Sequence, residues 1–222
     1  WLYGEITHGD YNHWANPDVL DSVTNYECYK GIYSSHNDHN YFEIAHSLNR
    51  QFANGGIYRN IYTYNFVDNH DVNRVASMLK DKNHLNNVYT MMYTMPGVPS
   101  IYYGSEFGIE GMRTAYSDYE LRPCPDLDSI PNPNYELLEH IKKLGVVRLA
   151  LEALKYGDFE NINIRMKSLY TEEKPTIRLF LLHSTLQTVL KESVLTQAAT
   201  QSLQMFSTAT KLLMINGYYE IE

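Results

Sequence analysis

Tyr64-Asn65-Phe66-Val67-Asp68-Asn69-His70-Asp71-Val72-Asn73-Arg74 is the stretch on which the reading of this chain turns. Phe66 and Val67 lead directly into two carboxylates, an amide and an imidazole. A strand sends successive side chains to opposite faces. Asp68 and His70 are therefore expected on one side, with Asn69 and Asp71 on the other, unless the chain turns at the strand end. Such polar crowding suits the mouth of a site, because loops on a rigid scaffold carry function. The competing reading is structural: a strand-to-helix turn in which Asp or Asn caps a helix starting near Val72.

Strand and helix signals alternate outward from this stretch. Residues 2–6 read as a strand carrying Glu5 and ending in a polar loop with His8, Gly9 and Asp10. Residues 22–26 read as a short strand followed by Glu27. Phe42, Ile44, Ala45, Leu48 and Phe52 recur at helical spacing, and Asn54-Gly55-Gly56 stops that helix. His36, Asp38 and His39 precede it in a Ser/Asn-rich stretch and read as a solvated loop or cap, with no cysteine to complete a metal site. Residues 61–67 form the strand entering the polar cluster. Residues 72–79 and 85–95 read as helices with Met91, Met92 and Met95 filling core, until Pro96-Gly97-Val98-Pro99 breaks the pattern. Residues 100–103 read as a strand ending at Gly104, Ser105 and Glu106. A Pro- and Asp-rich loop over 119–133 leads into a helix over 135–154, marked by Leu137, Leu138, Ile141, Leu144, Val147 and Leu151.

Alternating strands and helices imply parallel pairing with right-handed crossovers. Acids recur at the strand ends: Glu5, Glu27, Asp68 to Asp71, and Glu106. A (β/α) barrel gathers its site at that face. A doubly wound sheet would also do so, but no Gly-rich phosphate loop follows any strand. After residue 156 the character changes to a turn at Gly157-Asp158 and strand-like runs over 162–170 and 176–182. The expected class is α/β: a partial (β/α)8 TIM barrel over residues 1–156, then a small β-rich C-terminal domain over 157–222. Residues 184–211, rich in Thr, Gln, Ser and Leu, show no period of two and receive no assignment.

Composition narrows the function. The 222 residues carry a net charge of -8, so electrostatics make no case for nucleic acid or an anionic membrane surface. Hydrophobic residues at 44% and charged residues at 20% are globular proportions. Cys28 and Cys124 are too few for a disulfide framework and lack metal-site spacing. No apolar run has the length of a membrane span. Tyrosine, 20 of 222 residues, offers a flat apolar face and a hydroxyl, which suits a carbohydrate or a peptide ligand and equally suits core packing. The chain starts at Trp1, so the lack of a signal peptide decides nothing, and cytoplasm and secretion both fit.

Three segments carry a resemblance. Phe66-Val67-Asp68-Asn69-His70-Asp71, Gly97-Val98-Pro99-Ser100-Ile101-Tyr102-Tyr103-Gly104-Ser105-Glu106 and Leu2-Tyr3-Gly4-Glu5-Ile6 resemble, in family order, motifs of the alpha-amylase family, glycoside hydrolase family 13. They resemble the segments at the seventh, eighth and fifth barrel strands. The resemblance runs from Trp1 to about residue 159, and more faintly beyond. It implies barrel strands five to eight and a retaining hydrolase of α-1,4-glucans or maltodextrins. By residue, it implies Glu5 as general acid/base and Asp71 as the acid that binds ring hydroxyls and stabilises the transition state. His70 would hydrogen-bond the same sugar, with His8 and Tyr103 lining subsites and Glu106 a structural acid. A glycosidic oxygen leaves poorly without a proton, so Glu5 would have to hold one near neutral pH. A retaining reaction also needs a carboxylate nucleophile roughly 5–5.5 Å from the acid.

The family's nucleophile motif lies before the Glu5 motif, and this sequence does not contain it. The expectation is a C-terminal fragment that is inactive alone, with no cofactor of its own and no protein metal site. Calcium enters only through the full-length relatives. The alternatives are a non-catalytic carbohydrate-binding or partner remnant of the same fold, and a transglycosylase. A metal enzyme built on His70 with Asp68 or Asp71 lacks further ligands at metal spacing. The tail departs from the family over 184–211, as a divergent domain or a shifted reading frame, while Asn216 to Glu222 again resembles a family ending.

Overall fold

Four short parallel strands stand side by side in chain order. β1 (Tyr3–Gly4) pairs with β2 (Ser22–Val23), and β3 (Tyr64–Asn65) pairs with β4 (Val98–Pro99). A parallel bridge between Thr24 and Tyr64 joins the two pairs. The computed structural model describes residues 1–190 apart from 127, 166–167, 175–178 and 185–187.

Each strand falls within or beside its expected stretch, with one displacement. The fourth is Val98–Pro99, and residues 100–103 are not strand. Gly97 sits at φ 103°, where the chain can swing directly from the preceding helix into pairing. A Cβ there would lie 2.6 Å from the Thr63 carbonyl oxygen. Pro99 has no N–H, so Val98 and Ser100 carry the ladder, donating to the carbonyls of Thr63 and Asn65 at 2.8 and 2.9 Å. The chain then turns, with Ser105 N donating to the Tyr102 carbonyl at 3.0 Å.

The helices are α1 (Tyr26–Asn37), α2 (Phe42–Phe52), α3 (Val75–Met78), α4 (Leu85–Thr94), α5 (Tyr135–Ala150) and α6 (Glu152–Tyr156). α1 corrects the sequence reading, which placed Glu27 at a strand end and His36 in a solvated loop. Asn25 caps the helix, its Oδ1 accepting from Cys28 N at 3.1 Å. Glu27 lies in the first turn and pairs with Arg50. His36 lies in the last turn, fully buried, with Nδ1 donating to the Ile32 carbonyl at 2.7 Å and Nε2 meeting the Tyr41 hydroxyl at 3.2 Å. Asp38 and His39 are exposed, as expected. Gly31, Ser34 and Ser35 are weak helix formers that hide this helix in the sequence. Packing on α2 forms it, with Gly31 set against Ile44 so closely that an added Cβ would lie 3.3 Å from Ile44 Cα. Between β1 and β2 a 3-10 turn, Tyr11–His13, replaces a crossover helix. The helix expected over 135–154 breaks at Leu151, whose backbone is extended, and α3 is shorter than expected.

The core lies between sheet and helices. Val23, Ile32, Ile44, Leu48, Val67, Val88, Met91, Met92 and Met95 are all buried in it. A polar knot fixes the order of the elements: Asn25 Nδ2 donates to Gln51 Oε1, Thr63 Oγ1 and Asn65 Oδ1 at 2.9, 3.1 and 3.1 Å. All of these side chains are buried, so each bond spares a desolvated group. On the other face Tyr3 stacks on Tyr64, centroids 4.3 Å apart.

After α6 the chain forms an antiparallel sheet of β5 (Asp158–Arg165), β6 (Ser168–Lys174), β7 (Leu179–Ser184) and β8 (Thr188–Leu190), in that order. β5 and β6 divide the stretch expected as one strand over 162–170. Phe159 and Leu169 join the helix core, and Asn161 Nδ2 donates to the Ala45 carbonyl at 3.2 Å. Residues 191–222, with most of the unassigned 184–211 tract and the Asn216 to Glu222 ending, lie outside the described residues. Among the described residues no helix is long and apolar enough to cross a membrane.

Candidate active site

The polar cluster does not alternate, because the chain turns at Asn69. Asn69 Oδ1 accepts from the backbone of Asp71 and Val72 at 2.8 and 3.1 Å. His70 and Asp71 therefore end side by side, with Nε2 and Oδ2 3.4 Å apart. Asp68 goes the other way. It is buried, accepting from Val75 N at 2.9 Å at the start of α3 and from the Ser105 hydroxyl at 2.8 Å. The expected Asp or Asn cap near Val72 is not formed: α3 starts at Val75 with Arg74 as its N-cap, and Asp68 braces its first N–H while His70 and Asp71 stand side by side.

Glu5 follows β1 and reaches the same place. Its Oε1 accepts from the Tyr26 hydroxyl at 2.6 Å, and Asn69 Nδ2 donates to that hydroxyl at 3.0 Å. Tyr26 at the start of α1 thereby ties the end of β1 to the end of β3. Burial first, then the Glu5 carboxylate, push the Tyr26 phenol up to about 12, so it remains a donor to Glu5. Glu5, His70 and Asp71 each present an atom within 4.8 Å of the others.

Two arginines complete the setting. Arg122 Nη2 lies 2.8 Å from Asp71 Oδ1, and Arg122 Nε donates to the His70 carbonyl at 3.0 Å. Arg113 stands 3.7 Å from the same Asp71 oxygen, and both arginines also hold Asp118, at 2.8 and 3.6 Å. Single exposed ion pairs contribute little stability, but together they fix how Asp71 points. Sequence reading missed Tyr26, Arg113, Asp118 and Arg122. Tyr26 reads as the end of a strand and Arg122 as part of a Pro- and Asp-rich loop, and neither reading specifies a contact.

Arg74 supports the site from behind. Its guanidinium is fully buried and donates to the Tyr103 carbonyl at 2.6 Å, to Ser105 Oγ at 2.9 Å and to the Leu121 carbonyl at 2.9 Å. It also lies 4.1 Å from the centroid of the Tyr102 ring. Arg74 therefore fixes the backbone beside Arg122 and the loop after β4.

Asp68 and His36 bend the pH dependence of stability in opposite senses. Burial raises the Asp68 carboxyl from 3.8 to about 6, against the Val75 N–H, the Ser105 hydroxyl and Arg74. The folded chain then holds this proton where the unfolded chain has lost it, so stability falls as pH rises from about 4 to 6. Burial lowers His36 from 6.5 to about 4. Its contribution is complete above the unfolded value and is lost as pH falls toward 4. In Asp68→Asn the histidine slope should stand uncompensated. Urea unfolding of that variant should lose about 3 kcal/mol between pH 6.5 and 4, while the parent stays flatter. Equal slopes in both chains would refute the assignment.

The other expected subsite residues, His8 and Tyr103, and the strand-end acids Glu106 and Glu27 make contacts of their own. His8 is exposed, with Nδ1 2.9 Å from the Thr7 hydroxyl. Tyr103 donates its hydroxyl to the Pro123 carbonyl at 2.7 Å. Glu106 lies in the 3-10 turn Ser105–Phe107, and Glu27 is committed to Arg50. Among the described residues the Glu5, His70 and Asp71 group is where three ionisable ligands converge. Calcium takes six to eight oxygens, so a set that includes an imidazole does not fit it. Asp68 faces away from His70 and cannot share a metal with it.

The geometry agrees with what the chain is similar to. It is 30% identical over 161 residues to a cyclomaltodextrinase of Geobacillus thermopakistaniensis, covering 71% of this chain and 26% of that protein. It is 29% identical over 151 residues to a maltogenic alpha-amylase of Bacillus acidopullulyticus, covering 67% and 25%. The chain thus spans about a quarter of the length of these relatives. Among solved structures, the alpha-amylase from H. orenii superposes with a TM-score of 0.72 at 20% identity, over 84% of this chain and 44% of that one. The maltogenic amylase from S. marinus does so with 0.66 at 27%, over 82% and 26%. The fold is that of part of an alpha-amylase. The alpha-amylase catalytic-domain model matches residues 1–161, and the chain belongs to that family.

Proposed function

We propose that residues 1–156 are strands five to eight of an alpha-amylase-type barrel and residues 157–222 a small C-terminal β-domain. The complete protein would be a retaining hydrolase of α-1,4-glucans or maltodextrins. The convergence of Glu5, His70 and Asp71 from the ends of β1 and β3 carries this reading. Glu5 protonates the glycosidic oxygen and later takes a proton from water. Asp71, held by Arg122, supplies negative charge to the oxocarbenium-like sugar and binds its hydroxyls. His70 hydrogen-bonds the same ring, and His8 and Tyr103 border neighbouring subsites.

The nucleophile would come from outside this chain, so the chain alone should not turn over glucan. The purified 222-residue chain should release no reducing sugar from maltoheptaose. Joined behind the first half of the cyclomaltodextrinase barrel, and shown to be folded by near-UV circular dichroism, it should release maltose. Turnover by the monomeric chain alone would sink the missing-nucleophile reading. A folded, inert chimera would favour the second reading, a carbohydrate-binding remnant of the same fold. Longer products in place of maltose would identify a transglycosylase.

A further inference from the structure

The turn that ends α2 carries chemistry of its own. The Ala53 carbonyl closes it, accepting from Gly56 N at 2.6 Å, with Asn54 and Gly55 exposed at the tip. Gly56 is pinned, since a Cβ there would lie 2.5 Å from the Gln51 carbonyl oxygen. Gly55 is open: it sits at φ 81° with nothing within 4 Å of the place a Cβ would take. Among the described residues no acceptor takes its N–H, and none takes the Asn54 Nδ2 hydrogens. An unshielded peptide nitrogen therefore follows an asparagine amide whose leaving nitrogen nothing holds.

Arg59 reaches this amide. Its Nη1 donates to Asn54 Oδ1 at 3.2 Å, while Nη2 lies 2.6 Å from Asp158 Oδ1 at the start of β5. A hydrogen bond from a charged donor is stronger than one from a neutral donor, and it draws electron density from the amide carbon. When a nucleophile adds to that carbon, negative charge collects on Oδ1, which is the atom Arg59 already meets. Asp158 holds the guanidinium in place, so the donor is set before the charge develops.

We propose that Asn54 is a self-modification site, converted by water to aspartate and isoaspartate, with Arg59 as the hydrogen-bond donor that speeds the conversion. Gly55 N gives its proton to hydroxide and bonds to Asn54 Cγ. The Cγ–Nδ2 bond then breaks, and the nitrogen leaves as ammonia with a proton from water, which regenerates hydroxide. The cyclic imide takes up one water at either carbonyl. One opening gives aspartate, and the other gives isoaspartate, whose main chain runs through the former side chain. No oxidant or cofactor takes part. The new carboxylate stands beside Arg59 and competes with Asp158 for it, so ageing of this turn acts on the link between the end of α2 and β5.

Incubation of the full 222-residue chain near neutral pH, followed by chymotryptic digestion and mass spectrometry, tests this. Cleavage after Phe52 and Tyr58 isolates residues 53–58, in which Asn54 is the single asparagine. The parent peptide should gain the mass of amide-to-acid exchange, and an isoaspartyl methyltransferase should label part of it. Arg59→Ala should slow the gain about two- to tenfold, the worth of one hydrogen bond in a rate. Arg59 and Asp158 are both exposed, and such pairs contribute little stability, so the fold should persist. Asp158→Asn leaves the donor in place and should not slow the gain. In concentrated urea the parent and Arg59→Ala should react alike, because folding alone sets the donor on Asn54. A folded parent that gains no acid overturns the proposal. Equal rates in folded parent and Arg59→Ala overturn it too, as does an equal slowing by Asp158→Asn or a difference that persists in urea.

Discussion

Arg74→Met should destabilise the chain by about 3–5 kcal/mol, because it strands several acceptors at once, each buried one costing about 1–3 kcal/mol when left unsatisfied. The methionine fills much of the volume but donates nothing. The carbonyls of Tyr103 and Leu121 and the Ser105 hydroxyl lose their donor together. Asp68 also loses its nearby positive charge while remaining buried. Urea unfolding followed by far-UV circular dichroism reads the effect. Arg74→Lys keeps the charge without the planar fork, so it should fall between parent and methionine variant. A loss under about 1 kcal/mol in the methionine variant, within the ordinary range for point changes, would show that the network is dispensable.

The second large effect concerns the completed barrel. There Glu5→Gln should lower kcat on maltodextrin by about 10²- to 10⁴-fold, the range attributed to a positioned proton donor. Glutamine keeps an oxygen to accept from the Tyr26 hydroxyl, so the local geometry persists and KM should change little. A nitrophenyl maltoside needs less help from an acid, because its leaving group departs without a proton. The loss for its glycosidic cleavage should therefore be far smaller. An equal loss on both substrates would show that Glu5 positions the sugar and does not protonate it.

Legibility followed how local each determinant is. The strand ends at Glu5 and at Asp68 to Asp71 were visible because polar residues interrupt apolar runs in the sequence itself. α2 and α4 were visible because their buried faces are apolar at helical spacing. α1 was not: its inward face includes Ser35 and His36, and its helical state depends on packing against α2 across Gly31. The division of labour at Asp68 to Asp71 was hidden for a similar reason. Asp68 is drawn inward by Ser105, and no spacing rule connects residues 37 positions apart. The same holds for Arg122 on Asp71, which are 51 positions apart. The fourth strand was displaced because the proline-rich break was read as an interruption of structure. Gly97 makes it the entry into the strand.

Gly97 has a genetic consequence. Any change in the first or second base of its codon replaces glycine, and every replacement adds at least a Cβ. That atom would lie 2.6 Å from both the Thr63 carbonyl oxygen and Asn65 Nδ2, on a backbone at φ 103°. The same residue's carbonyl accepts from the buried Arg148, so the backbone cannot shift without disturbing a second element. Missense alleles at this codon should therefore be recovered as low protein abundance, with whatever protein survives keeping its ligand preference.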